Sequence, residues 1–451
     1  MFVNCFANES IENSVNRFKK ILRLKGFPID QAQKELDVIL NRSEGDFQNF
    51  NEKRRQSILD FHLKNNSNYS QFTSKTHYNT WDEIPVMTKA DLQKPLKDRL
   101  SKRYKTSKVF VNKTSGSSGH PFIFAKDKYA HALTWAHIIW LYQQHGIDMN
   151  SYFEARFYGI PKDAVGYRKE RLKDFLANRH RFDIFDLSQS NLHKFLELFK
   201  EKSFDYINGY TSSIVLFAKF LKEQNVILKV VCPTLKICIT TSEMLFEDDR
   251  QLLENQLGLK IVNEYGASEL DVIAFENEKG EWQLNNKTLY VEVVDDHGFA
   301  LPHGQEGDIV ITSLYNKAHP FIRYQIGDRG IIDENSTVQK PILKSLTGRT
   351  NDFAILPSGK KVPALSFYYV TKSVIEDSGL VKEIKIIQKE LSKFTIQYKA
   401  ESELDQIQKQ KITTAVETYL EKGLEITFER KNELDRSESG KLKQFTSQLD
   451  G

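Results

Sequence analysis

Lys113-Thr114-Ser115-Gly116-Ser117-Ser118-Gly119-His120-Pro121 is the stretch whose reading decides the fold. It follows the apolar run Val109-Phe110-Val111 and packs four hydroxyl side chains and two glycines into six residues. A loop of this kind can turn several backbone N–H groups and hydroxyls toward one centre, which suits a polyphosphate. Glycine serves where the backbone must approach phosphates closely or take a positive φ. A Ser/Gly-rich octet on its own is usually a plain surface loop. The stretch also lacks the Gly-Lys-Ser/Thr ending of a Walker loop, which sets the common NTPase reading aside.

The bulk of the chain narrows the setting. At 451 residues it is too long for one compact core, and two or three domains are expected. Charge is nearly balanced, 64 basic against 60 acidic residues for a net +4, so neither nucleic acid nor an anionic membrane is indicated. Three cysteines, Cys5, Cys232 and Cys238, offer no disulfide framework and no CxxC pair for zinc. No basic n-region opens the chain, and no run approaches the ~18 apolar residues of a membrane span. The expectation is a cytoplasmic protein without membrane insertion.

Patterning gives the layout. Residues 1–75 read as helices, with Ile11, Val15, Phe18, Ile21 and Leu22 on one face and Gly26-Phe27-Pro28 as a stop. From Val109 to about Leu235 short apolar runs alternate with helical ones, which argues for an α/β sheet. Shorter strands follow at Leu235–Thr241, Lys260–Glu264, Leu289–Val294 and Asp308–Thr312, and Pro320–Tyr324 and Gly330–Ile332 read as further strands of a β-barrel-like or antiparallel element. After Gly348-Arg349 a hairpin pattern, an amphipathic helix through Ile412 and Val416, and a strand at Ile426–Phe428 predict a small α+β domain. The fold expected is α/β. A large N-terminal domain spans 1–350, with a helical segment over 1–75, and a small mobile domain spans 351–451.

Four further stretches supply groups that a nucleotide site needs. Tyr265-Gly266-Ala267-Ser268-Glu269 offers an aromatic face for a purine and a carboxylate for magnesium, or else is a strand-end turn with a packed tyrosine. Tyr324-Gln325-Ile326-Gly327-Asp328 places a carboxylate where a ribose diol can donate to it, or is simply a tight turn. Gly348-Arg349-Thr350-Asn351-Asp352 puts an arginine at the domain boundary, and Ser439-Gly440-Lys441 a lysine near the end of the small domain. Either of these also reads as ordinary exposed charge.

Taken in order with the Ser/Gly loop, these stretches resemble the adenylate-forming superfamily of acyl-CoA synthetases, adenylation domains and luciferases. The finer likeness is to the phenylacetate-CoA ligase branch with its CapK-type capsule-biosynthesis relatives. It is carried by Ile84-Pro85-Val86-Met87-Thr88-Lys89, Gly209-Tyr210-Thr211-Ser212 and Leu356-Pro357-Ser358-Gly359-Lys360-Lys361-Val362. The resemblance covers about residues 55–445 and implies ATP, Mg2+ and, as co-substrate, CoA. Thr114, Ser115, Gly116, Ser117, Ser118 and Gly119 would close over the β- and γ-phosphates. Tyr265 and Gly266 would lie by adenine, Ser268 near the α-phosphate, and Glu269 at the metal. Asp328 would take the ribose hydroxyls with Arg349 beside it. Asn351 would stand at the family's hinge, and Lys441 would be the catalytic residue, reaching the α-phosphate and the substrate carboxylate.

Some positions depart from the family pattern. Thr241-Ser242-Glu243 replaces the family's Gly-Gly-Glu or Gly-Ala-Glu while keeping Glu243 for ATP, and Asn351 replaces the commoner hinge aspartate. The reaction implied is attack of a carboxylate on ATP to give acyl-AMP and pyrophosphate, then transfer to a thiol, most simply CoA. A carrier-protein thiol, an amine or a sugar hydroxyl is the alternative acceptor, and a non-catalytic nucleotide-binding subunit is a third reading. The acyl pocket is expected around Trp140, Gly209, Tyr210 and Thr211, with neighbours in Ala136–Trp140 and Glu264–Tyr265. These aromatics would favour a flat or apolar acid.

Overall fold

The computed structural model describes residues 17–92, 94–113, 123–160, 164–184, 187, 189–349, 353–359, 361–363, 370, 381–435 and 445–449. The chain divides into two compact units. One comprises Met1–Gln305, Val310–Ile326 and Ile332–Lys344; the other comprises Glu306–Ile309, Gly327–Ile331 and Ser345–Gly451. Three strands therefore pass from one unit to the other, where the sequence suggests a single cut.

The strands begin with a hairpin, β1 (Phe110–Lys113) and β2 (Ile123–Lys126), that brackets the Ser/Gly loop and pairs Phe110 with Lys126. There follow β3 (Glu154–Phe157), β4 (Arg179–Phe182), β5 (Tyr206–Tyr210), β6 (Ile237–Thr241), β7 (Lys260–Ala267), β8 (Asp271–Glu276) and β9 (Trp282–Leu284). Next come β10 (Leu289–Val294), β11 (Glu306–Ser313), β12 (Tyr324–Ile332) and β13 (Ile342–Arg349). These last eleven form one sheet in the order β10-β11-β12-β13-β9-β8-β7-β6-β5-β3-β4, so the strands expected as a barrel-like element join the sheet.

Five strands, β7-β6-β5-β3-β4, are mutually parallel. Parallel strands are covered on both faces, which is why β5 and β6 are buried at every position. One face carries a phenylalanine-rich layer under the helices Gln189–Glu201, Thr211–Glu223 and Glu247–Leu257. Phe157, Phe182, Phe195, Phe199, Phe204 and Phe217 interlock there, each contributing about 1.5–3 kcal/mol by burial. The other face packs Tyr206, Ile239, Val262 and Phe275 against Tyr142 of the helix Lys128–Gln144. Asp127 caps that helix, accepting from the N–H groups of Tyr129 and Ala130 at 2.9 Å each.

The N-terminal helices follow the predicted stripe. Arg17–Leu24 stops at Gly26, whose φ is +74°, and Ile29–Leu40 buries Ile29, Ala32, Leu36 and Ile39 in the cluster shared with Lys128–Gln144. Ile11 and Val15 lie outside the described residues. The strand expected at Pro320–Tyr324 is displaced. Residues 320–323 form a bend, Arg323 has φ +46°, and β12 starts only at Tyr324 and runs unbroken through Gly327-Asp328. The cause is the fully buried Arg323 guanidinium, which donates to the carbonyls of Asp82, Ile84 and Gly298 at 3.1, 2.8 and 2.6 Å. Those bonds fix the chain in a turn that a ladder would have straightened.

In the second unit β14 (Phe353–Ile355) pairs with β15 (Lys361–Pro363). A four-stranded sheet, β18 (Glu425–Arg430), β17 (Lys393–Ala400), β16 (Val381–Glu390) and β19 (Phe445–Ser447), follows in that order. The predicted hairpin is β16–β17, with Ile386 opposite Ile396, and the predicted third strand is β18. Helix Gln406–Tyr419 starts in a capping box between Asp405 and Gln408 and buries Ile412 and Val416 with Ile384 and Phe394.

Candidate active site

Sheet topology selects one crevice. From β3 the chain moves to β4 on one side, and from β5 to β6 on the other, so the neighbours β3 and β5 part at their carboxyl ends. Ligands of open α/β sheets bind outside the strand carboxyl ends at such a switch point. The residues arriving there are Phe157-Tyr158 and Gly209-Tyr210-Thr211. Gly209 has no room for a side chain: a Cβ would stand 2.4 Å from the Phe157 Cβ and 2.5 Å from its carbonyl oxygen. That glycine lets β3 and β5 close up, and the rings of Tyr158 and Tyr210 then meet at 4.6 Å.

Around the crevice, three of the four expected acyl-pocket residues come together, Gly209, Tyr210 and Thr211. Trp140 is placed elsewhere. Its ring stacks on His137 at 5.7 Å and lines a small cavity with Leu141, Val272, Phe275 and Lys287, which none of the other three borders. Glu243 turns to the same helix start as Thr211. Its carboxylate accepts from the Ser212 N–H at 2.7 Å and its carbonyl from the Thr211 hydroxyl at 3.2 Å. An anion on the first turn of Thr211–Glu223 is favoured by the helix dipole.

The motif Tyr265–Glu269 leaves β7 and turns into β8. Tyr265 is buried with its ring 6.1 Å from that of Trp282. A bulge separates Tyr265 from Gly266, where a Cβ would fall 2.5 Å from the Asp271 carbonyl oxygen, and Asp271 itself takes φ +61°. Ser268 is exposed. Glu269 is buried and accepts from the Tyr324 hydroxyl at 3.0 Å, and its other oxygen has no partner among the described residues. The described residues hold no group of three or more His, Cys, Asp or Glu fit to cage a metal. A single carboxylate with one open oxygen does suit magnesium, which keeps several waters and shares substrate phosphates.

Lys126 closes the link to the opening stretch. It ends β2, the strand that leaves the Ser/Gly loop, and its buried ammonium forms an ion pair with the half-buried Asp271 at the start of β8. The flanks of two separate motifs are thereby pinned together. Asp328 is buried in β12, immediately after Gly327 at φ +92°, while its neighbour Arg329 pairs with Glu306 and Asp308 at 3.5 and 3.3 Å. Arg349 is the last residue of β13. Thr114, Ser115, Gly116, Ser117, Ser118, Gly119, Asn351 and Lys441 lie outside the described residues.

The sequence reading had Glu264 beside the acyl pocket and Thr241 in a family motif, but passed over Glu154 and Arg156. On β3 Arg156 donates to Glu154 at 2.7 Å, and its guanidinium lies 3.9 Å over the Tyr158 ring. On β6 and β7 the registered pair Thr241 and Glu264 share a hydrogen bond of 2.9 Å, hydroxyl to carboxyl. Burial raises the Glu264 carboxyl to about 7, against the lowering pull of the Thr241 hydroxyl and Arg156. The available signal was the charged pair Glu154 and Arg156 standing two apart in a short strand that is otherwise apolar.

A large sheet wrapped by helices and followed by a separate α+β unit defines the architecture of adenylate-forming ligases. No family model matches the chain. It is 24% identical to Protein CapK of Staphylococcus aureus over 333 residues, covering 71% of this chain and 69% of that protein. It is 30% identical to phenylacetate-coenzyme A ligase of Aromatoleum evansii over 131 residues, only 27% of this chain and 29% of the relative. Among solved structures, 2-hydroxyisobutyryl-CoA ligase in the postadenylation state in complex with 2-HIB-AMP superposes with a TM-score of 0.68 at 16% identity, covering 90% of each chain. In sequence the chain is similar to CapK and phenylacetate-coenzyme A ligase, and these relatives and the structural neighbours agree on the fold of adenylate-forming ligases. They support an enzyme of the ligase type. Among the described residues no helix is long and apolar enough to cross a membrane.

Proposed function

We propose that the chain uses ATP to activate a carboxylic acid as acyl-AMP with release of pyrophosphate, and then passes the acyl group to a thiol, CoA first among the candidates. The observation that carries the reading is the Lys126–Asp271 pair. It ties the β1–β2 hairpin that carries the Ser/Gly loop to the turn bearing Tyr265, Ser268 and Glu269, which supports one ligand for the phosphate and adenine motifs.

The chemistry follows from charge. A carboxylate approaching a triphosphate is repelled until its partner's charge is neutralised, and positioning then supplies much of the remaining acceleration. Glu269 would hold magnesium through its open oxygen, and the metal supplies neutralisation of the phosphates when bound. Thr114–Gly119 would donate to the β- and γ-phosphates, Tyr265 would flank the adenine, and Asp328 would accept from the ribose hydroxyls beside Arg349. Lys441 would stabilise charge at the α-phosphate as the acid oxygen bonds to phosphorus and the bond to pyrophosphate breaks. In the second step the thiol sulfur bonds to the acyl carbon and AMP leaves. Asn351 would be the hinge between those steps.

A second reading keeps the adenylation and changes the acceptor to an amine, a sugar hydroxyl or a carrier thiol. The far longer match to CapK than to phenylacetate-coenzyme A ligase favours keeping it. ATP–pyrophosphate exchange across a panel of carboxylic acids tests the first step, and acceptor-dependent AMP release separates the two readings. Lys441→Ala is expected to reduce acid-dependent exchange at least ~100-fold while ATP binding by calorimetry persists. Wild-type exchange in that variant would remove the lysine from the mechanism. Absence of exchange with every acid would leave only nucleotide binding.

A further inference from the structure

Strand register puts an unusual set of groups on one face of the sheet at the β3/β5 switch point. Glu154, Arg156 and Tyr158 alternate along β3, beside Tyr206, Asn208 and Tyr210 on β5. Next across the sheet are Thr241 on β6 and Glu264 on β7, because Tyr210 is registered with Thr241 and Thr241 with Glu264. Below them the face is sealed by Tyr142, which accepts from the Asn208 amide at 3.2 Å and packs edge-on to Tyr206. The carboxyl end is where solvent still reaches both Arg156 and Glu264.

Most polar atoms of this set are spoken for. Glu154 accepts from Arg156 at 2.7 Å and from the Tyr206 hydroxyl at 3.4 Å. Two are not. One Glu264 oxygen takes the Thr241 hydroxyl and the other has no partner among the described residues. The Arg156 Nε is buried without a partner. The open Glu264 oxygen still meets solvent, and a ligand that displaces that solvent must supply a donor to avoid the cost of an unpaired acceptor. An apolar acyl chain would bury the same oxygen and make the cost permanent.

We propose that Glu264 is a specificity residue, and that the acid this chain activates carries a hydrogen-bond donor, a hydroxyl or an ammonium, on its acyl portion. The inference rests on the adenylation reading and narrows its substrate class, away from the flat or apolar acid that the aromatics suggest. Thr241 orients the carboxyl, and the Tyr158 and Tyr210 rings flank the substituent's carbon frame. The aromatic faces set width; Glu264 sets polarity.

The charged surroundings separate the two donors. Burial, Asp271 and Glu154 favour the neutral Glu264, whereas Thr241 and Arg156 favour the carboxylate, and Tyr142 beside it stays neutral. An ammonium needs the carboxylate, so its binding strengthens as pH rises through about 7. A hydroxyl is accepted by the carboxylate and can also accept from the neutral acid, so its binding is nearly flat with pH.

The experiment is ATP–pyrophosphate exchange with matched acids that differ only in a hydroxyl, an amine, a second carboxylate or a methyl, using the full chain and Glu264→Gln and Glu264→Leu. The expected result is a preference of about 100-fold or more for a hydroxy or amino acid over its methyl counterpart, collapsing in Glu264→Leu. Glu264→Gln should retain most of the hydroxyl preference and lose any ammonium preference. Equal or better exchange with the methyl or dicarboxylic analogue, unchanged in both variants, overturns the proposal and leaves adenylation standing. If no acid supports exchange, calorimetric titration of the same acids into the nucleotide-bound protein decides the crevice separately. Donor-bearing acids that bind wild type and fail to bind Glu264→Leu support it, and equal binding or none overturns it.

Discussion

Glu264 exposes a conflict between stability and use at a single side chain. Its carboxyl titrates at about 7 in the folded chain against an ordinary 4.5, so the native state holds a proton that the unfolded chain has released. Stability from that proton is complete below about 4.5 and is lost as pH rises through 7. Above that range an ionised, crowded carboxylate weighs on the fold. Glu264→Gln is therefore expected to be more stable than wild type at pH 8 by about 1–2 kcal/mol and nearly equal to it at pH 4.5, by urea unfolding at each pH. Equal variant and wild-type stability at both pH values would show that the native carboxyl is not strained. Buried His62 carries the opposite sign. Burial lowers it from 6.5 to about 4, so its contribution is lost as pH falls through that window.

At the scale of elements, the crevice depends on how closely two strands approach. Gly209 permits β3 and β5 to lie with no side chain between them, and the Tyr158–Tyr210 contact follows from that spacing. Gly209→Ala drives a methyl into Phe157 backbone and side chain. A cost of about 1–3 kcal/mol is expected, with weaker acid-dependent exchange because the carboxyl ends of both strands must shift. Gly45→Ala, in the first turn of the helix Glu44–Asn65 with nothing within 4 Å, is the control and should cost nothing. Urea midpoints of the two variants make the comparison; a neutral Gly209→Ala would mean that the strands have room to separate. Gly209 reads in sequence as a pocket-lining glycine. In the structure its immediate reason is strand packing.

For the whole molecule, the division between units does not follow the chain. Glu306–Ile309 and Gly327–Ile331 group with Ser345–Gly451 although they precede it by many residues. Within that unit the Thr347 hydroxyl donates to Glu306 at 3.0 Å, and β12 lies between β11 and β13. A chain ended at Lys344 would strip the outer half of β12 of its β13 neighbour and expose an unpaired edge. It is expected to melt several degrees below the full chain and to aggregate more readily. An unchanged melting temperature would show that these strand ends owe nothing to the residues after Lys344.

Much of this was legible from residues alone. The strand–helix alternation, the stop at Gly26, the β16–β17 hairpin and the helix through Ile412 and Val416 follow from local periodicity, which short stretches of chain carry by themselves. The ordered motifs likewise pointed to adenylate-forming chemistry, because each needs only a few adjacent residues. What the local pattern missed depends on distant partners. The bend at Arg323 arises from carbonyls of Asp82, Ile84 and Gly298, and the anchoring of the Ser/Gly hairpin at Lys126 arises from Asp271. The pairing of Glu264 with Thr241 beside Arg156 exists only once four strands are in register. The sequence by itself determined the likeness to adenylate-forming enzymes, whose motifs are each short and local. Only the tertiary structure assembled the groups proposed to read the acid, because they come from separate strands and meet at the carboxyl end of one sheet.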